Sequence, residues 1–77
     1  MRIVGHARIH GVSDADIVHA LRHAIAHDPT RHDDRTMYFG PDRAGNLLQV
    51  LVAIDEDGEE VVIHAMPITD RYLRFLP

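Results

Sequence analysis

The order of apolar and polar positions divides the chain into a helix followed by strands. Between Ser13 and His27, the residues Ile17, Val18, Leu21, Ala24 and Ile25 fall on one stripe at helical spacing. Ser13 stands three residues before Asp16, a spacing in which the serine hydroxyl accepts from an unpaired amide and the aspartate reaches back. A helix is therefore predicted over 13–27. His27-Asp28-Pro29 supplies its stop, because a residue ahead of proline disfavours helical geometry. Residues 30–35 are polar and without period, as in an exposed connection.

Three strands follow, over 36–39, 47–54 and 60–66. Residues 40–45 have the composition of a turn, and Asp57-Gly58 is the dipeptide of a tight two-residue hairpin. That hairpin sets Ile54 opposite Val61, Val52 opposite Ile63 and Leu51 opposite His64. One face then carries Leu48, Val50, Val52, Ile54, Val61, Ile63 and Ala65, a continuous apolar seat for the helix. The other carries Leu47, Gln49, Leu51, Ala53, Val62, His64 and Met66, too apolar for open water and interrupted by two polar groups. Something should cover it or bind it. Pro67 ends the third strand, and residues 70–76 suit a short terminal helix. The expected fold is α+β in a single domain over 1–77: an N-terminal helix or helix pair packed on a three- to four-stranded antiparallel meander, with a short C-terminal helix.

Length supports one core only, since 77 residues bury too little surface for two. The absence of cysteine excludes disulfides and thiolate metal sites and favours a reducing compartment. No segment approaches the roughly 20 apolar residues of a membrane span, and Met1 to His6 holds no apolar run of signal-peptide length, so a cytoplasmic location is expected. A net charge of −4 opposes nucleic-acid binding at first sight. However, Asp55, Glu56, Asp57, Glu59 and Glu60 cluster at one turn, and without them eight arginines face seven acids, a remainder of about +1. Every basic residue is arginine, which suits bidentate contact with phosphate, although a GC-rich genome produces the same bias.

Several groups carry candidate chemistry. His64 is held by a strand on the mixed face, where an imidazole suits proton transfer near neutral pH. Arg71 and Arg74 follow after the proline, and Arg43 lies in the first hairpin turn. His6 and His10 bracket Arg8 ahead of the helix, where a basic group helps to build an anion site. His19, His23 and His27 repeat at one-turn spacing and form an alternative metal-binding stripe, although it lies opposite the apolar one and reads first as a solvated face.

The succession His10-Gly11-Val12-Ser13 into a helix, an Arg-led strand over 35–40, the strand Gly45-Asn46-Leu47-Leu48-Gln49-Val50, and Ile63-His64-Ala65 before a terminal helix resembles the BrnT-like toxins of the RelE-like ribonuclease group. The resemblance covers roughly residues 10–72. It implies a toxin of a type II toxin–antitoxin pair: a metal-independent endoribonuclease that inhibits translation, needs no cofactor, and is occluded by a cognate antitoxin protein. His64 would then perform acid/base work and Arg71 offset charge on the phosphorane, with Arg35, Arg43 and His10 contacting RNA. The chain departs from the family pattern at Met66, where a basic residue is usual, and in the strand 3–6. Two other readings stand beside this one. A non-catalytic interaction module, a homodimer through the mixed face around Leu51, Val62 and Met66, accounts more simply for the acidic charge; a metal-binding regulator would use the histidine stripe.

Overall fold

Ser13 caps the main helix in the computed structural model, which describes residues 1–76. Its Oγ accepts from the Asp16 amide at 3.2 Å, and α1 (Asp14–Arg22) runs from there with Ile17 and Ala20 fully buried. The helix ends at Arg22 rather than at His27, and the reason is tertiary. The Ile25 amide donates to the Phe39 carbonyl at 2.8 Å, and the next residues form β2 (Ala26–Asp28) alongside β3 (Arg35–Pro41). Strand pairing thus takes the backbone groups that further helix would have used. Pro29 ends a strand instead of a helix, and Ala24 and Ile25 are exposed rather than part of the core stripe.

The remaining strands are β1 (Arg2–Ile3), β4 (Leu47–Ile54) and β5 (Glu60–Pro67), followed by α2 (Asp70–Leu73). All five strands form one sheet in the order β1-β5-β4-β3-β2. From β3 to β5 it is the expected antiparallel meander, which β2 extends by an unexpected strand, but β1 pairs parallel with β5, Arg2 beside Val61 and Ile3 beside Val62. The fold is α+β with a five-stranded mixed sheet in place of three or four antiparallel strands. β1 is too short to show a period, and its partner lies far along the chain. A 3-10 turn over Gly5–Arg8 leads from β1 toward α1 and buries Ala7.

Both long hairpins close in the same way. Asp42 and Asp55 each accept two backbone amides through one carboxylate oxygen, from Ala44 and Asn46 and from Asp57 and Glu59 respectively. Gly45 (φ 89°) and Gly58 (φ 79°) then take the left-handed conformation that side chains resist. The second turn is therefore Asp55 to Gly58, not a two-residue Asp57-Gly58 loop, and Ile54 pairs with Glu60 instead of Val61. A bulge removes the offset: Val52 pairs with Val62 but Leu51 pairs with His64, so Ile63 is the extra residue. Beyond it the expected register holds.

That bulge exchanges side chains between faces. Leu48, Val50, Val52, Val62 and Ala65 form the buried cluster under Ile17 and Ala20, with Tyr38 packed against it. Val62 has thus moved to the helix face, and its neighbour Val61, paired with Ala53, belongs to the other. Ile54 is 44% exposed and serves neither. The second face is covered at one end by the C-terminal segment: the Phe39 ring lies 5.2 Å from Tyr72 and 5.9 Å from Phe75, and the buried Gln49 Oε1 accepts from the Thr69 amide at 3.0 Å. No helix among the described residues is long and apolar enough to cross a membrane.

Candidate functional site

Cross-strand partners share a face, so the second face can be read in rows across the sheet. One row is Ala26, Phe39, Gln49 and Met66, lying under the C-terminal segment. The next is Asp28, Met37, Leu51 and His64, and the last is Arg35, Ala53 and Val61. Leu51, Ala53, His64 and Arg35 are only half-buried. They leave an apolar floor with two polar groups, an imidazole and a guanidinium, in adjacent rows.

His64 is not alone. The chain leaves the 3-10 turn at Arg8, whose carbonyl accepts from the Gly11 amide at 3.0 Å, and this places His10 beside β5. The His10 and His64 rings meet edge to face, with centroids 5.4 Å apart and planes at 76°. Burial pushes the His64 imidazole below its ordinary pKa, and the neighbouring His10 and His6 push it further, because each disfavours another positive charge. A neutral imidazole at pH 7 accepts protons, and the exposed His10 stands next to it.

Arg35 begins β3 on the same face. Its backbone is fixed by the preceding connection: its amide donates to His32 O at 3.0 Å and its carbonyl accepts from Thr30 Oγ1 at 3.2 Å. The Nε of its side chain is buried and has no hydrogen-bond partner among the described residues. A buried guanidinium nitrogen without an acceptor is costly.

The other arginines diverge from this place. Arg43 is held against the start of α1, its backbone N and its Nε both donating to Asp16 Oδ1 at 3.0 and 2.9 Å. These two hydrogen bonds, chiefly the one from the guanidinium, lower the Asp16 carboxyl to about 2. Arg8 is likewise committed to Asp14, at 2.7 and 2.8 Å. Arg71 sits in α2 with its guanidinium 5.7 Å from the Tyr72 ring centre, and lines a groove with residues 28–32. It is therefore near Asp28, at the far end of the row that finishes at His64. The structure brings together His10 and His64, sets Arg35 on their face, and places Arg43 and Arg71 elsewhere.

The histidine stripe does not survive as a stripe. His27 lies in β2, while His19 and His23 remain neighbours, ring centroids 4.4 Å apart. His19 Nδ1 is occupied by the Pro41 carbonyl at 2.8 Å. No group of three or more histidine, cysteine or acidic side chains among the described residues is placed to hold a metal ion. The influence of His6 on His64 depends on β1 returning to the edge of β5, which nothing local in the sequence announces. Comparison of the chain with protein families, with curated proteins and with solved structures finds no match in any of the three.

Proposed function

We propose that this protein is a metal-independent endoribonuclease of the toxin class, with His64 and His10 as its acid/base pair. The observation that carries the reading is the contact between those two imidazoles at the open part of the second face. Cleavage of RNA without a metal needs a base for the 2′-hydroxyl proton, an acid for the departing oxygen and a cation for charge on the phosphorane. His64, kept neutral by burial, takes the 2′ proton as that oxygen attacks phosphorus. The bond from phosphorus to the 5′ oxygen breaks, and His10 gives that oxygen a proton. The products are a 2′,3′-cyclic phosphate and a 5′-hydroxyl. Arg35, half-buried on the same face, offers the cation. A cognate antitoxin would silence such an enzyme by covering this floor.

Induced expression tests the reading in cells. Growth arrest that is relieved by co-expressing an adjacent antitoxin gene, and lost in His64→Ala, is the expected result; a fully toxic His64→Ala variant sinks the assignment.

A second reading is a non-catalytic interaction module. It is favoured by the large apolar side chains left exposed, Ile9, Ile25, Leu73 and Phe75. A protein that dimerises but neither arrests growth nor cuts RNA supports this alternative.

A further inference from the structure

The groove between α2 and the connection after β2 is separate from the histidine pair and differs from it in chemistry. Its walls are Asp28, Thr30, Arg31 and His32 on one side and Arg71 and Tyr72 on the other. We propose that this groove is a nucleotide subsite that selects a base bearing an exocyclic amino group, cytosine, guanine or adenine, over uracil on a residue flanking the scissile bond. The inference rests on the ribonuclease reading and extends it to sequence preference.

The mixed charge of the groove argues for a base-reading pocket over a general phosphate track. Arg31 and Arg71 form no ion pair among the described residues, so both guanidinium groups are available to phosphate oxygens. Yet Asp28, at the end of β2, lines the groove with them, and Asp33, Asp34 and Asp70 are close in sequence. A run of phosphates would be repelled by that many carboxylates. A single nucleotide is not, because its base presents donors as well as acceptors. A carboxylate accepts from the amino group of cytosine or adenine, or from the N1 and amino hydrogens of guanine, whereas uracil flanks its single N–H with two carbonyl oxygens that repel it. The Asp28 carboxylate has no hydrogen-bond partner among the described residues, so its oxygens are free to do this. The Tyr72 ring in the same groove is already packed against Phe39 and beneath the Arg71 guanidinium, so the choice of base falls to Asp28.

The position fits a flanking nucleotide. Asp28 and His64 close opposite ends of one cross-strand row, three strand spacings or roughly 14 Å apart. That is too far for the nucleotide whose 2′-hydroxyl His64 serves. It is within reach of a neighbour on the same strand crossing the Leu51 floor.

Two measurements on the full chain test the proposal. The first is cleavage of short RNAs that differ at one position beside the cut. The expected wild-type preference for cytosine, guanine or adenine over uracil is about ten- to a hundredfold in kcat/KM, and Asp28→Asn should erase most of it. Arg31→Ala with Arg71→Ala should raise KM while leaving kcat near wild type. An unchanged preference in Asp28→Asn, or an unchanged KM in the double variant, overturns the subsite and leaves the ribonuclease reading intact. The second is titration with CMP, GMP and UMP followed by amide NMR shifts. Shifts at Thr30 and Tyr72 with CMP or GMP, weaker with UMP and lost in Asp28→Asn, support the groove even if no RNA is cut. The absence of shifts at those amides with all three nucleotides overturns it.

Discussion

His10 and His64 come from opposite ends of the chain and meet ring edge to ring face, 5.4 Å between centroids. One is carried by the loop after a 3-10 turn and the other by a central residue of β5, so their contact depends on β1 pairing with the edge of the sheet. Catalysis through this pair requires one imidazole neutral and the other protonated. A bell-shaped dependence of kcat/KM on pH is expected, with its acidic limb below the ordinary histidine value of 6.5 because His64 is shifted down. His10→Ala should lower kcat on the order of 10²- to 10⁴-fold. A profile flat between pH 5 and 8 would contradict the pair.

The same shift bears on stability. His64 has a lower pKa folded than unfolded, so the unfolded chain binds the proton more readily. Its contribution to stability is complete above pH 6.5 and is lost as pH falls below that value toward the folded pKa. Urea midpoints should fall between pH 7 and 5, and His64→Gln should flatten that fall. An equal decline in the variant would assign it to other groups.

Gly40 marks the closest approach of α1 to the sheet. A Cβ there would run into the backbone oxygen of Ala20, and that oxygen cannot move without displacing the helix. Gly40→Ala should cost at least the about 1–3 kcal/mol typical of overpacking, read as a lower midpoint in chemical unfolding. Gly5→Ala, where nothing lies within 4 Å, is the matched control.

The cover on the second face hangs on Phe39. With its ring fully buried beneath Tyr72 and Phe75, Phe39→Ala should cost about 3–5 kcal/mol and free the C-terminal segment. Hydrogen exchange of the Thr69 and Tyr72 amides should accelerate in this variant. Unchanged protection there would show that the segment is held by other contacts.

The cap at Ser13, the start of α1 and the three long strands were legible because each is a local pattern: a hydroxyl ahead of a helix, alternation in a strand, glycine at a turn. The end of α1 was not, since Ala24 and Ile25 continue the helical stripe while residues 26–28 are claimed by a strand that comes later. The hairpin at Asp55 held a readable signal that Asp57-Gly58 obscured: aspartate three residues before glycine, the same pattern as Asp42 and Gly45. Taking the longer turn forces the bulge at Ile63 and places Val62 in the core. His64 kept its expected partner Leu51 because the bulge cancels the change of turn before reaching it. Of the candidate residues, His10, His64 and Arg35 share a region through sheet order alone, which no spacing along the chain displays. Arg43 was drawn elsewhere by Asp16, a partner 27 residues away.

The most direct measurement is cleavage of RNA by the purified protein at neutral pH in excess EDTA, with end-group analysis and with His64→Ala in parallel. The expected result is chelator-resistant cutting that leaves 2′,3′-cyclic phosphate ends and is lost in the variant. RNA left intact by the wild-type protein, or cut equally well by His64→Ala, would contradict the account.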